Sequence, residues 1–354
     1  MELTSEQNFV LQELLKVNKR ITTCGGYAGT GKTTLVQKLS QKLSSWAVCA
    51  YTGKAAEILR RKGIEEASTI HSLIYVPKKD SAGNLILDKN GNPIFILNDH
   101  LEIGGFIVDE ASMVSKEIYD DLLTFKKPII FVGDHGQLKP IGTDIYVMQD
   151  PDYKLETIHR NAGEIAHFGE YIRKGNKPSH FSYKNKKCVE FISKVDAFEY
   201  SHKVEQVICA FNKTRVQVNQ TARKNLGLKG DFPVVGDKII CLRNNKLSKV
   251  FNGMQGVVEH LYDKPKNKMR FKTHTESIDI FFDPSQFNKE KYNFSLNRED
   301  PDPVDFCYGT TCHKSQGDEY EDGIVIEQKC DLWDHVRWAY TAATRFKSKV
   351  FWAC

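Results

Sequence analysis

The sequence predicts an α/β protein that carries an inserted β-hairpin in its first half and a small β-barrel in its second half. A β-prone segment, a Gly-rich loop and a helical pattern follow one another at residues 21–43. Further apolar segments each end in polar residues, and residues 231–283 carry β periodicity broken by turn signals. Strands that alternate with helices are typical of a parallel sheet with helices on both faces.

Composition limits the class of protein. The chain has 354 residues, of which 40% are hydrophobic and 27% are charged, enough for two or three domains with real cores. No apolar run reaches the roughly 20 residues of a membrane span. The first residues lack signal-peptide character, and nine scattered cysteines without a C-x-x-C pattern suit a reducing compartment. We therefore expect a cytoplasmic protein with no membrane contact.

The net charge of +5 does not by itself indicate a nucleic-acid partner. Residues 171–194 hold seven Lys/Arg and one acid, and residues 241–275 hold eight Lys/Arg and two acids. These stretches either neutralise phosphates or form solvated faces.

Residues 3–15 predict a helix that Ser5 or Thr4 caps, with Phe9, Val10 and Leu14 as its apolar stripe. Gln7 lies in the first turn of this helix. It is either an ordinary exposed glutamine or a reader of adenine, since an amide can pair with N6 and N7 of that base.

The Gly-rich loop Gly26–Thr33 fits the phosphate-binding pattern G-x-x-x-x-G-K-[ST], between a strand and a helix as that pattern requires. Its backbone N–H groups and the helix N-terminus favour phosphate. Lys32 supplies charge to the outer phosphates, and the Thr33 hydroxyl suits Mg²⁺. The alternative is a purely structural loop. The predicted ATP-binding residues here are Ala28, Gly29, Thr30, Gly31, Lys32, Thr33 and Thr34.

The next segment predicts a buried strand over Ala47–Tyr51 and a helix over Lys54–Arg61. Polar residues at strand ends are placed to bind ligands in open α/β sheets. Thr52 and Lys54 either contact a polynucleotide phosphate or form a turn with an N-cap. Thr69 and His71 lie on the following connection and are further candidate DNA contacts, although a lone histidine is more often a satisfied side chain.

Residues 76–99 interrupt the α/β order and predict an inserted β-hairpin with turn signals at 88–93. Phe95, near that turn, either stacks on a base and splits a duplex or packs against the domain.

A strand at Phe106–Val108 ends in Asp109 and Glu110. After a phosphate loop, one such carboxylate holds Mg²⁺ and the other polarises the attacking water; we assign these roles to Asp109 and Glu110. The strand at Ile129–Val132 precedes Gln137, which either senses the γ-phosphate or is a turn residue.

The second half has no further phosphate loop. Residues 204–220 predict a β-strand, a turn and a helix. Asn212, Thr214 and Arg215 lie at the end of this β-strand, where they are placed to contact the backbone of a DNA strand. The β-rich stretch that follows predicts the inserted barrel, whose basic face is a candidate DNA path.

The chain resembles the superfamily 1 DNA helicases of the 5′-to-3′ branch, the RecD and Dda type. The motifs that carry the resemblance occur in the family's order along most of the chain: LTSEQ, GYAGTGKT, YTGKAA, ASTIHSL, VDEASM, GDHGQLKPI, LETIHRN, YGTTCHKSQG and WAYTAATR. Tyr51 departs from the family, which often has proline there. The chain is also short for the group, with no room for an extra N-terminal domain.

The resemblance implies two RecA-like domains, 1–152 with the hairpin at about 76–99 and 153–354 with an SH3-like barrel at about 231–300. It implies that Arg160 and Arg345 reach the γ-phosphate from the second domain as arginine fingers. It places Gln316 and Gly317 near ATP, and Thr310, His313 and Lys314 on the DNA side.

We therefore expect an ATP-dependent DNA helicase that uses Mg²⁺, binds single-stranded and forked duplex DNA, and works as a monomeric motor of bacterial or phage type with replication or repair partners. The 5′-to-3′ polarity rests on the resemblance alone. Two alternatives share the same ATPase residues: a single-strand translocase that unwinds weakly, and an ATP-switched DNA-binding subunit.

Overall fold

The structure is a computed structural model that describes residues 3–87, 93–139, 146–158, 163–183, 188–243, 245, 248, 250, 252–264, 266–273, 276–292, 301–331 and 333–354. These residues form two parallel sheets, a closed barrel and a two-stranded hairpin. The predicted fold class is thereby confirmed.

The first half forms a six-stranded parallel sheet in the order β3-β2-β6-β7-β1-β8. Its helices and strands are α1 (Ser5–Leu15), β1 (Ile21–Gly26), α2 (Lys32–Lys42), β2 (Ala47–Ala50), α3 (Gly53–Arg61), β3 (Ser68–Thr69), α4 (Ile70–Ile74), β4 (Tyr75–Pro77), β5 (Phe95–Leu97), β6 (Phe106–Asp109), α5 (Lys116–Thr124), β7 (Ile129–Gly133) and β8 (Tyr153–Leu155).

The central strands are buried on both faces, as expected for a parallel sheet with helices on each side. In β6, Ile107 packs into the core on the α2 side, whereas Phe106 and Val108 pack on the opposite side. Thr4 caps α1 as predicted. Phe9 does not belong to the apolar stripe, because it is 61% exposed and Leu11 is buried instead.

The predicted hairpin is present: β4 and β5 pair antiparallel, with a further bridge between Leu87 and Pro93. Its turn at 88–92 lies outside the described residues. The hairpin extends from the connection between α4 and β6 and is therefore an insertion in the first sheet's α/β order.

The second half forms a five-stranded parallel sheet in the order β16-β10-β17-β18-β9. Its elements are α6 (Gly163–Arg173), β9 (Val189–Ile192), α7 (Lys194–Glu199), β10 (Gln206–Cys209), α8 (Asn212–Asn225), β11 (Lys238–Cys241), β12 (Gln255–Tyr262), β13 (Lys268–Lys272), β14 (Ser277–Asp283), β15 (Asp302–Phe306), β16 (Gly309–Thr311), β17 (Tyr320–Ile326), α9 (His335–Ala343) and β18 (Phe346–Ala353).

Strands β11 to β15 close the predicted barrel, whose interior joins one face of the second sheet in a single apolar core. The barrel continues through Phe306, past the predicted end at about 300. Strand β8 pairs with β1, the strand that precedes the phosphate loop, and its three residues therefore belong to the first sheet. We therefore propose a domain boundary after Leu155 rather than after residue 152.

Among the described residues, no helix is long and apolar enough to cross a membrane.

Candidate functional site

The phosphate loop connects β1 to α2 in the expected geometry. Gly29 and Gly31 adopt positive φ angles of 80° and 81°, a region that side chains rarely enter. Gly31 is the N-cap of α2, and no side chain caps the helix in the described residues. The first N–H groups of α2 therefore remain available to a phosphate.

Lys32 lies folded back on this loop. Its Nζ donates to the carbonyls of Gly26 at 2.8 Å and Tyr27 at 3.1 Å, and lies 3.8 Å from Asp134 Oδ2. The cation is thus held over the loop, at the position from which it can contact the outer phosphates.

Asp109 and Glu110 end β6 side by side. Asp109 is buried, and burial together with the charge of Glu110 raises its pKa above the ordinary 3.8. Glu110 has a positive φ of 52°, and its Oε2 is buried with no hydrogen-bond partner among the described residues. Backbone strain and an unpartnered carboxylate oxygen at one residue are typical of a functional site.

Gln137 and Asp134 follow β7 on the same side of the sheet. Gln137 Nε2 lies 3.4 Å from Asp134 Oδ2, while its buried Oε1 has no partner among the described residues. Tyr340, on α9, donates to Asp134 Oδ2 at 2.7 Å and accepts the Ala28 N–H at 2.8 Å. Tyr340 thereby joins the second sheet's helix to both the phosphate loop and the strand end beside it.

The phosphate loop, Glu110, Asp134 and Gln137 line a cleft of about 380 Å³ between the two sheets, whereas Asp109 is buried beside Glu110 and is not part of this lining. Arg345 enters it from the second half, 5% exposed, with Nε bonded to the Thr341 carbonyl and Nη1 to the Asp318 carbonyl, both at 3.2 Å. The cleft thus brings together the predicted residues Ala28, Gly29, Gly31, Lys32, Thr33, Thr34, Glu110, Gln137 and Arg345. Arg160 lies outside the described residues.

Three other residues that were predicted to contact the nucleotide lie against other parts of the protein. Thr30 is fully buried and bonded to the Tyr27 carbonyl. Gln316 Nε2 donates to the Leu138 carbonyl at 3.0 Å, across the two halves. A Cβ added to Gly317, whose φ is +78°, would lie 2.9 Å from Thr52 Oγ1, so glycine permits close approach of the two halves there.

Gln7 is also engaged. It is 3% exposed; its Oε1 accepts the Thr4 N–H in a capping box, and its Nε2 donates to the Thr30 carbonyl at 2.9 Å. The amide therefore braces the phosphate loop in this structure, and adenine recognition stays a prediction.

Four predicted DNA contacts end strands of the first sheet or follow them. Thr52 is the N-cap of α3, which is the structural alternative stated above for it, and Thr69 is the N-cap of α4. Lys54 forms an ion pair with Asp318 at 3.3 Å across the two halves. His71 is exposed and stacks near Tyr75, with ring centroids 4.4 Å apart.

Phe95 lies away from the hairpin turn. It pairs with Pro77 in the ladder, and its ring is edge-on to His71 at 6.4 Å. Phe95 therefore lies toward the base of the hairpin and contacts His71, as the alternative of packing against the domain describes, and the duplex-splitting role stays a prediction. Leu85 and Leu87 are the exposed apolar residues farther along, 48% and 51% exposed.

Arg215 is a structural residue, contrary to the prediction. It is 3% exposed and ion-paired with Asp305 of the barrel, and it also donates to the Lys289 carbonyl and to Asn212. A charge this buried and fully paired is not available to a DNA phosphate. Thr214 is likewise buried and accepts from Gln328, whereas Asn212 is exposed.

Replacing Arg215 with alanine is expected to destabilise the protein by about 3–5 kcal/mol, because Asp305 would remain buried without its partner. Urea unfolding measures this change. Lys213→Ala, on an exposed position of the same helix, is the control and should change stability by less than about 0.5 kcal/mol. Unchanged stability with weakened DNA binding would restore Arg215 as a DNA contact.

The last predicted DNA contacts lie in β16 and in the segment that follows it. Thr310 is buried within the strand, whereas His313 and Lys314 are partly exposed. Burial lowers the pKa of His313 below 6.5 and that of Lys314 below 10.5. His313 is therefore a neutral ring near pH 7.

Sequence reasoning missed Tyr340 and Arg173. The guanidinium of Arg173, at the end of α6, lies 3.7 Å from the centroid of the Tyr27 ring in the phosphate loop. Arg173 carries no local signal, and each residue meets the phosphate loop only because the second half packs on it. Tyr340 does lie within the quoted motif WAYTAATR, which was the one available indication.

Three comparisons bear on this site. Residues 2–194 match the family model described as AAA domain. The ATP-dependent DNA helicase Dda of phage T4 is 31% identical over 37% of this chain and 31% of its own length. The ATP-dependent RecD2 DNA helicase of Deinococcus radiodurans is 24% identical over 99% of this chain and 48% of its own. The chain thus spans less than half the length of these relatives.

Among solved structures, a Bacteroides Pif1 bound to single-stranded DNA has a TM-score of 0.62 at 19% identity, covering 100% of this chain and 92% of that one. At this identity the likeness concerns the fold, and it agrees with the two RecA-like sheets and the inserted barrel. Because the family model matches more than half of the chain, the chain belongs to the AAA domain family, and its kinship with superfamily 1 helicases of the RecD and Dda type is confirmed.

Proposed function

We propose that the chain is an ATP-dependent DNA helicase that moves along single-stranded DNA from 5′ to 3′ and separates duplex DNA at a fork. The observation that carries the proposal is the cleft in which Lys32 and Glu110 of one half face Arg345 of the other. Relatives named as ATP-dependent DNA helicases support the same activity.

In this proposal ATP phosphates lie on the loop and the α2 N-terminus. Lys32 leaves its loop carbonyls for the outer phosphates, Glu110 orients and deprotonates the attacking water, and Gln137 responds to the γ-phosphate. Arg345 and Arg160 contribute positive charge from the second half. Loss of the γ-phosphate then removes the link between the halves, so that hydrolysis alternates closed and open states.

The site also fits Mg²⁺. Asp109 and Glu110 place two carboxyl groups side by side, and the pKa of Asp109 is raised, so a cation there offsets buried negative charge. The Thr33 hydroxyl and Asp109 would hold the ion, since Mg²⁺ prefers oxygen ligands. When bound, it would neutralise charge on the outer phosphates.

DNA is proposed to follow the carboxyl ends of both sheets. Within the first half this path passes Thr52, Lys54, Thr69 and His71. Within the second half it passes Asn212, His313 and Lys314, with Thr214 and Thr310 buried beneath them. Lys54 must exchange Asp318 for a phosphate, which couples DNA binding to the seam between the halves. Replication or repair proteins are the proposed partners of such an activity.

Unwinding of forked duplexes that carry either a 5′ or a 3′ single-stranded tail tests the proposal. ATP-dependent strand separation is expected only with the 5′ tail, and a Lys32→Ala variant is the matched inactive control. Unwinding that depends on the 3′ tail would contradict the polarity.

Two other outcomes identify the alternatives. Displacement of streptavidin from a biotinylated single strand without duplex separation would indicate a translocase. Nucleotide-dependent DNA binding with no DNA-stimulated hydrolysis would indicate an ATP-switched subunit.

A further inference from the structure

Three aromatic side chains meet at the carboxyl edge of the second sheet. Phe211 follows β10, His313 follows β16 and Trp333 follows β17. These strands are neighbours in the order β16-β10-β17, so the three rings lie beside one another. The Trp333 ring centroid lies 5.7 Å from that of Phe211 and 5.6 Å from that of His313. We call this set the aromatic platform.

The platform is accessible and rests on a fixed base. Phe211 is 38% exposed although it is a large apolar residue, while Trp333 packs partly against the core of the second sheet. Gln328 bonds the Ala210 N–H at 3.0 Å and the Thr214 hydroxyl at 2.8 Å, which ties the loop after β17 to the start of α8. The rings are thus held by the strand ends that carry them.

The surroundings favour an anionic chain beside the rings. Phe211 is the N-cap of α8, a 14-residue helix with no side-chain cap among the described residues, so the first N–H groups of the helix can donate to a phosphate. Lys213 and Lys329 are exposed on the two adjoining segments. Two acidic residues lie nearby. Asp334 accepts a hydrogen bond from the Arg337 N–H, and Asp331 is exposed.

The His313 ring adds a flat face to the set. Burial lowers the pKa of His313 from its ordinary value of 6.5, which favours the uncharged ring.

We propose that Phe211, His313 and Trp333 form a stacking site for the bases of single-stranded DNA, in addition to backbone contacts. Stacking requires an open base face, which a single strand offers and a duplex covers. The proposal rests on the proposed function, and it adds that the second half grips bases as well as phosphates. Such a grip is sequence-tolerant, as a translocating protein needs, because every base has a π-face.

The test compares binding of an oligo-dT strand with binding of a strand of equal length that has abasic sites throughout. Phe211→Ala is expected to weaken oligo-dT binding by roughly fivefold or more, with little change for the abasic strand. Phe232→Ala is the matched control, since Phe232 is 60% exposed just past the other end of α8, a helix about 20 Å long. This control should bind both strands as the parent does.

Tryptophan emission supplies a second readout. The chain has four tryptophans, and Trp338 and Trp352 are fully buried. Oligo-dT should quench the parent protein, and Trp333→Phe should remove most of the quenching while retaining a ring and hence most of the affinity.

Equal losses on both strands for Phe211→Ala, or no loss on either, would overturn the platform. If the parent shows DNA-stimulated ATPase activity while Phe211→Ala binds normally, the platform fails and the proposed function stands. If base-dependent binding and quenching occur without DNA-stimulated hydrolysis, the platform stands and the proposed function fails.

Discussion

Replacing Lys32 with alanine is expected to abolish measurable ATP hydrolysis, since the loss of one preorganised donor to the reacting group already lowers turnover by roughly 10²–10³-fold. The side chain is 15% exposed and already bonded to two loop carbonyls, so its charge sits at the loop before any phosphate arrives. Steady-state phosphate release in the presence of single-stranded DNA measures the effect.

Lys42→Ala is the control for Lys32→Ala. Lys42 is exposed in the last turn of the same helix, so its loss removes an equal charge from α2 without touching the loop. It should keep parental turnover. Parental turnover in the Lys32 variant itself would refute the assignment of the phosphate site.

Replacing Arg345 with alanine is expected to reduce turnover by roughly 10³-fold or more while nucleotide affinity changes little. The Thr341 and Asp318 carbonyls hold the guanidinium in the cleft opposite Lys32, where the proposed mechanism develops charge during transfer of the γ-phosphoryl group. Phosphate release, together with titration of a fluorescent ATP analogue, separates turnover from binding.

Arg345→Lys refines this experiment. Lysine retains the charge but cannot bond bidentately to a phosphate, so partial recovery of turnover would support an electrostatic role with a geometric component. A loss of nucleotide affinity as large as the loss of turnover would instead mean that Arg345 supports the fold of the cleft.

The elements of the nucleotide site that lie close together in sequence were predictable. Gly26–Thr33 forms its loop and helix N-terminus from local backbone geometry, and the carboxylates at 109 and 110 follow directly from the end of one buried strand. The alternation of apolar strands and amphipathic helices likewise indicated two parallel sheets and the inserted barrel.

Arg215 and Phe95 show why the DNA contacts were less predictable. Both lie close to positions where a ligand contact is plausible, but Asp305, 90 residues away, neutralises Arg215, and Pro77 pairs with Phe95 at the hairpin base. Residue type and strand-end position do not reveal which charges find a buried partner, because that partner comes from another element.

The phosphate loop, the paired carboxylates and the kinship that the comparisons support could all be recognised in the amino-acid sequence. The bond from Tyr340 to the phosphate loop, the ion pair that ties Arg215 to the barrel, and the contacts among Phe211, His313 and Trp333 became visible only in the folded chain. This difference arises because parallel strands place their carboxyl ends at one edge of a sheet. Side chains that are far apart in sequence become neighbours there, and packing then settles which of them remain free to bind a ligand.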